Sequence, residues 1–194
     1  MAAQLVVAYA RHFPNHRGKL RLFQALARAL SRSTDHELLF FNDAGVRFAI
    51  DPCDCIGQSI CFNGSYEPLS LALASTLMTP GGTFVDVGAN VGLYTSVIAN
   101  IPGANCIAIE PNARAFTRLA TNASRSKSSH IRLINVALAS SHTLLEMVTP
   151  SGTNLGMTRV TNCVRAKSWS VYAVPMHELL TTLNITSITL LKID

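Results

Sequence analysis

The sequence predicts an α/β fold in which a parallel sheet carries helices on both faces. Three observations predict it. Short, mainly apolar runs recur at Thr83 to Val87, Asn105 to Ile109, Ile131 to Ala137 and Ser187 to Ile193, and strands apolar on both sides belong in a sheet covered on both sides. Segments of helical length lie between them, at Val91 to Ala99, Asn112 to Ser124 and Met176 to Leu183. The first of these strands runs straight into a glycine-marked turn. With 194 residues and 48% hydrophobic content, the chain has enough apolar material for one such domain.

Taken in order, Gly18 to Leu30 reads as a basic amphipathic helix, because Leu22, Phe23, Leu26 and Leu30 recur at helical spacing. Glu37 to Asn42 and Val46 to Ile50 read as short strands joined by Asp43-Ala44-Gly45, residues suited to a tight hairpin turn. Asp51 to Tyr66, punctuated by Gly57 and Gly64, reads as irregular. Pro68 suits a first helical turn, and the helix it opens runs through Leu77 to the stop at Pro80-Gly81-Gly82. The strand–helix alternation follows, with possible extra strands at Leu144 to Val148 and Ser170 to Val174. The expected division is an N-terminal extension over 1–55 and a core over 56–194, with its sheet ordered 3-2-1-4 and the last strand at the edge. The chain ends at Asp194, at the carboxyl end of an apolar strand, so the core is expected to be incomplete at that end.

Composition excludes several classes. No apolar run approaches the ~18 residues of a membrane span. The first residues lack the charged start and cleavage site of a secretory signal. A cytoplasmic protein with reduced cysteines is therefore expected at Cys53, Cys55, Cys61, Cys106 and Cys163. Their spacing does not suit zinc, and no metal is expected. The sequons at Asn63, Asn122 and Asn184 carry no weight without secretion. The net charge is +5, and the first 34 residues hold Arg11, Arg17, Lys19, Arg21, Arg28 and Arg32 with no acid. A transit peptide, a surface for an anionic partner and an ordinary packed helix compete as readings. The last is favoured, and no nucleic-acid partner is expected, since no aromatic-interleaved basic patch follows.

The chemistry is concentrated in Phe84-Val85-Asp86-Val87-Gly88-Ala89-Asn90-Val91-Gly92. Gly88 and Gly92 let the backbone pass close to a ligand, and the following helix offers free N–H groups. The G-x-N-x-G spacing lacks the third glycine of a dinucleotide fingerprint, and Asp86 lies two residues before the first glycine. An acid there repels a pyrophosphate and suits a cation, which favours S-adenosylmethionine, a sulfonium and ammonium carrier, over NAD. Asp86 either holds the ammonium or ties down the turn. Glu110 follows Gly88 by 22 residues at the end of the next strand, where an acid accepts both hydroxyls of an adenosine ribose.

These residues resemble the FkbM-like methyltransferases from about Ile56 to the last residue. The resemblance is carried by Tyr66-Glu67-Pro68, by Phe84 to Thr95, by Ile109-Glu110-Pro111-Asn112, by Asn135-Val136-Ala137-Leu138 and by Leu190-Leu191-Lys192-Ile193-Asp194. It implies a class I methyltransferase, Rossmann-like fold and O-methylation of a hydroxyl on a sugar, glycan or secondary metabolite, a small-molecule or glycan acceptor. It places Glu67, Asp86, Gly88, Asn90, Gly92, Glu110, Pro111, Asn112 and Ala137 around the cofactor. The family continues Lys-Ile-Asp with Val-Glu-Gly, and opens the preceding helix with Leu-Asp where this chain has Met176-His177.

Methyl transfer needs an aligned acceptor oxygen whose proton is removed or shared. Asp194 is the catalytic candidate, because it stands at the carboxyl end of the strand beside that of Asp86. His130, His142 and His177 are weaker candidates for a base, and Asn154 for the acceptor pocket. An NAD-linked oxidoreductase and a cofactor-binding chain without catalysis are the rival readings.

Overall fold

The computed structural model describes residues 2–31, 38–41, 46–126, 130–149, 158–161 and 168–194. The turn expected at Asp43-Ala44-Gly45, Asn154 and Cys163 lie outside the described residues. The chain divides into two compact units, Met1–Pro68 and Leu69–Asp194.

The first unit holds α1 (Ala2–His12), α2 (Lys19–Ser31), the antiparallel pair β1 (Leu38–Phe41) and β2 (Arg47–Ile50), and α3 (Cys55–Asn63). The basic helix forms as expected, but its buried stripe is Lys19, Phe23 and Ala27, while Leu22 and Leu26 are exposed. Phe23 meets Phe62 of α3 edge-on at 4.7 Å. Buried Lys19 donates to the carbonyl of Phe13 at 2.5 Å, a cation on the free carbonyls that follow α1. The irregular stretch expected at Asp51 to Tyr66 is instead largely α3. Its ends explain it: Asp54 accepts from the Gly57 N–H at 2.6 Å as N-cap, and Gly64 closes the helix at φ 82° with its N–H on the Ile60 carbonyl.

The second unit contains α4 (Pro68–Leu77) from Leu69 onward, β3 (Thr83–Val87), α5 (Leu93–Ile98), β4 (Asn105–Ile109), α6 (Ala113–Ala123), β5 (Ile131–Ile134), β6 (Ala137–Leu138), β7 (Thr143–Val148), β8 (Arg159–Val160), β9 (Ser168–Val174), α7 (Met176–Thr182) and β10 (Leu190–Ile193). One sheet is parallel throughout and ordered β10-β3-β4-β5, which is the expected 3-2-1-4. β10 is an edge strand of this sheet, with Leu191 and Ile193 exposed. On one face Phe84 and Cys106 pack with Ala74, Met78, Tyr94 and Ile98, and Ala108 packs with Leu119. On the other, Val85, Ile107 and Ile109 pack with Met176, Leu179, Leu180 and Leu183. The large side chains among them that are fully buried, Phe84, Ile98, Ile107, Ile109 and Leu119, contribute about 1.5–3 kcal/mol each. This is a doubly wound, Rossmann-like α/β fold.

The strand expected from Ile131 to Ala137 splits. β5 stays in the parallel sheet, and β6 joins a second sheet ordered β6-β9-β7-β8. Between them Asn135 donates its side-chain amide to the carbonyls of Glu110 at 2.7 Å and Pro111 at 3.2 Å, which takes the chain out of the first ladder. Among the described cysteines, Cys61 and Cys106 are buried thiols. Burial pushes the thiols of Cys61 and Cys106 up to about 12, which leaves them unreactive. No described helix is long and apolar enough to cross a membrane.

Candidate functional site

Parallel pairing sets Lys192 of β10 opposite Asp86 of β3. Asp86 is 1% exposed. Its Oδ2 accepts from Thr95 Oγ1 at 2.7 Å. Its Oδ1 accepts no hydrogen bond among the described residues and is balanced by the Lys192 ammonium at 3.4 Å. That ammonium also donates to the Gly88 carbonyl at 3.1 Å and lies 3.5 Å from Asp194 Oδ2 and 5.2 Å from the Tyr94 ring centre. Burial raises the pKa of Asp86, and the charge of Lys192 and the Thr95 hydroxyl oppose the rise. Asp86 is thus tied to Thr95 and, through the Lys192 ammonium, to the Gly88 carbonyl of the turn. Lys192 was missed in the sequence. Its signal is a lone cation in the apolar run Leu190-Leu191-Lys192-Ile193, since a buried charge needs a partner.

The turn hangs from β4. The N–H groups of Gly88 and Ala89 both donate to the Ile109 carbonyl, at 2.9 and 3.0 Å. Glu110 is buried, and its two oxygens accept from the Asn90 N–H and the Asn112 N–H, each at 2.7 Å. Burial raises its pKa, and these two donors oppose the rise. Asn90 is left-handed at φ 51°, a conformation that asparagine tolerates better than most residues. Its Oδ1 is buried with no hydrogen-bond partner among the described residues. Asn112 caps α6, accepting from the Arg114 and Ala115 N–H groups, and its amide donates to Thr158 Oγ1 at 2.8 Å.

The glycine turn departs from expectation in two respects. α5 begins at Leu93 rather than Val91 and has six residues. The space beside Gly92 is taken by protein: a Cβ there would lie 2.6 Å from Leu119 Cδ1, at φ 86°. At Gly88, with φ 73°, a Cβ would lie 3.1 Å from the Asp194 carbonyl oxygen. Gly92→Ala is therefore expected to cost about 1–3 kcal/mol through strain and overpacking, read as a lower urea midpoint with an unchanged slope.

At the carboxyl ends of β3, β4 and β10 lies a cleft of about 280 Å³. Gly88, Asn90, Glu110, Pro111 and Asp194 line it, so five of the predicted site residues come together here. Asp86 lies beneath them, joined through Lys192. Asn112 reaches the cleft wall through Thr158. Others are elsewhere: Ala137 is buried in the second sheet, paired with Ala173, Gly92 packs on Leu119, and Glu67 belongs to the first unit, at φ 48°. His142 bonds the Tyr172 hydroxyl at 2.8 Å and Glu178 at 2.7 Å, and exposed His177 lies 3.9 Å from Glu178. His130 is exposed ahead of β5. None of the three lines the cleft. The remaining wall was not foreseen: Met147, Thr158, Arg159 and Val160, from β7, β8 and the residue before β8. Alternation along β7 turns Met147 inward, but its meeting with the turn depends on contacts across sheets that no local pattern encodes.

No protein-family model and no curated protein matches the chain. Solved structures similar to it include P. horikoshii TYW2 in complex with MeSAdo, with TM-score 0.43 and 17% identity over 58% of this chain and 47% of that one. Trm5b from Pyrococcus abyssi gives TM-score 0.41 and 18% identity over 52% and 28%. A protein-L-isoaspartate O-methyltransferase gives TM-score 0.32 and 10% identity over 69% and 40%. The chain thus spans less than half the length of each of these structures.

Proposed function

We propose that the cleft binds S-adenosylmethionine and that the protein is a class I methyltransferase of FkbM-like type, acting on a hydroxyl of a sugar, glycan or secondary metabolite. The observation that carries this reading is the joining of a glycine turn after β3 to a buried acid after β4, at the carboxyl ends of adjacent parallel strands. The cleft lies where β10 and β4 flank β3 on opposite sides, the switch point at which open α/β sheets take ligands.

The residues present fit the cofactor. Asn90 Oδ1 is a buried acceptor in need of a donor, and the cofactor offers hydroxyl and ammonium donors. Each Glu110 oxygen accepts one backbone N–H and keeps a second lone pair for a ribose hydroxyl. Met147 and Val160 give the cleft apolar wall for an adenine ring. Its volume is near the lower end of the ~300–1,000 Å³ usual for small-molecule sites. S-adenosylmethionine supplies a methyl group on a sulfonium, open to displacement by an oxygen nucleophile. The chain's own part is orientation: Glu110 and Asn90 fix the nucleoside, and exposed Asp194 accepts the hydrogen of the acceptor hydroxyl.

Calorimetric titration with S-adenosylmethionine and S-adenosylhomocysteine tests the reading. Asn90→Gly keeps the left-handed backbone and the N–H to Glu110 while deleting Oδ1, and is expected to weaken binding about tenfold, the worth of one hydrogen bond. Absence of binding by the folded wild-type chain defeats the proposal.

A further inference from the structure

We propose that the outer face of the α1–α2 hairpin docks on an anionic phospholipid bilayer. Residues 2–31 carry Arg11, Arg17, Lys19, Arg21 and Arg28 and no acid. Two of these cations work inside the unit: Arg11 donates to the Ile60 and Cys61 carbonyls, and Lys19 to Phe13. Arg17, Arg21 and Arg28 are exposed, with no acidic partner among the described residues.

The apolar side chains of α2 decide what these arginines face. At 100° per residue, Lys19, Phe23 and Ala27 form the inward stripe that the hairpin needs. Leu22, Ala25, Leu26 and Ala29 form a second, continuous stripe beside it, and Arg21 and Arg28 border that stripe on its far side. Leu22 is 46% exposed and Leu26 39%. A solvated helix face would carry charges of both signs; this one carries leucine and alanine bordered by arginine. Phe13, near the helix junction, is exposed as well, while exposed Leu20 lies on the other side of α2. Beside them an open hollow of about 880 Å³, lined by His16, Arg17, Arg21 and Phe62, gives room for a headgroup. Leucines that enter the acyl boundary while arginines hold headgroup phosphates are the chemistry of an interfacial helix. Polynucleotide would match the arginines but leave the leucine stripe in water, because single strands are held by aromatic stacking.

Cosedimentation of the full chain with phosphatidylcholine vesicles, with and without one-quarter phosphatidylglycerol, tests the proposal. The expected result is at least tenfold stronger partition onto the anionic vesicles, weakening as salt rises. Arg21→Gln and Arg28→Gln should each lower it about fivefold. Leu22→Ser with Leu26→Ser should lower it about tenfold or more, with circular dichroism unchanged, since both leucines are exposed. Equal partition onto neutral and anionic vesicles, or none, overturns the proposal on the wild-type chain alone. So does tighter binding to duplex or single-stranded polynucleotide that the leucine substitutions leave intact.

Discussion

Glu110→Ala is expected to cost about 3–5 kcal/mol of folding stability and to abolish detectable S-adenosylmethionine binding. The carboxylate accepts two backbone N–H groups at 2.7 Å, one on each side of the site. Hydrogen bonds to a charged group are worth about 1.5–3 kcal/mol each, and donors left buried and unpaired carry their own cost. The desolvation that raises the Glu110 pKa is relieved by the substitution, which keeps the total below the simple sum. Glu110→Gln should be intermediate, because its carbonyl serves one N–H while its amide confronts the other. Urea unfolding of the three proteins gives the order wild type, glutamine, alanine. A loss under about 0.5 kcal/mol for alanine would mean that the turn does not depend on this side chain.

The second large effect is expected at Lys192. Lys192→Met leaves Asp86 buried without its balancing charge, a defect of about 3–5 kcal/mol near neutral pH. Adding Asp86→Asn removes the stranded charge, so the double variant should recover most of the loss, a coupling that a double-mutant cycle measures directly. The pH dependence has a definite sign. Burial raises the folded-state pKa of both Asp86 and Glu110, so the native state binds their protons more tightly than the unfolded chain does. The stability they contribute is complete below the ordinary carboxylate range and declines as pH rises through the raised folded values. Loss of Lys192 lifts the Asp86 value further. The Lys192→Met defect should therefore be small in acid and full at neutral pH; a defect independent of pH would place the role of Lys192 in packing.

The half of the fold that was legible is the half written in local pattern. β3, β4 and the helices after them declare themselves because strands buried on both faces must be apolar throughout, and right-handed crossovers then leave little freedom in strand order. α3 was hidden because Cys55-Ile56-Gly57-Gln58-Ser59-Ile60-Cys61 has no clean apolar period. Its caps, Asp54 and Gly64, are the better signal. In the site, Gly88, Asn90 and Glu110 follow from one contiguous motif and its neighbour. Lys192 meets Gly88 across a separation of 104 residues, and Thr158 meets Asn112 across 46; such pairings exist only once the sheets are assembled.

The two walls of the cleft rest on different ladders, and this divides the labour of change. Asp86, Thr95, Lys192 and Glu110 interlock through the parallel sheet and its turns, so an alteration at one is felt by the others. Arg159 and Val160 form a two-residue strand that, among the described residues, pairs with the end of β7 alone. Replacing their side chains leaves the parallel ladder whole. The opposite wall can thus be rewritten residue by residue while the turn stays fixed, and a lineage of such proteins could diversify what the cleft admits without having to refold what holds it.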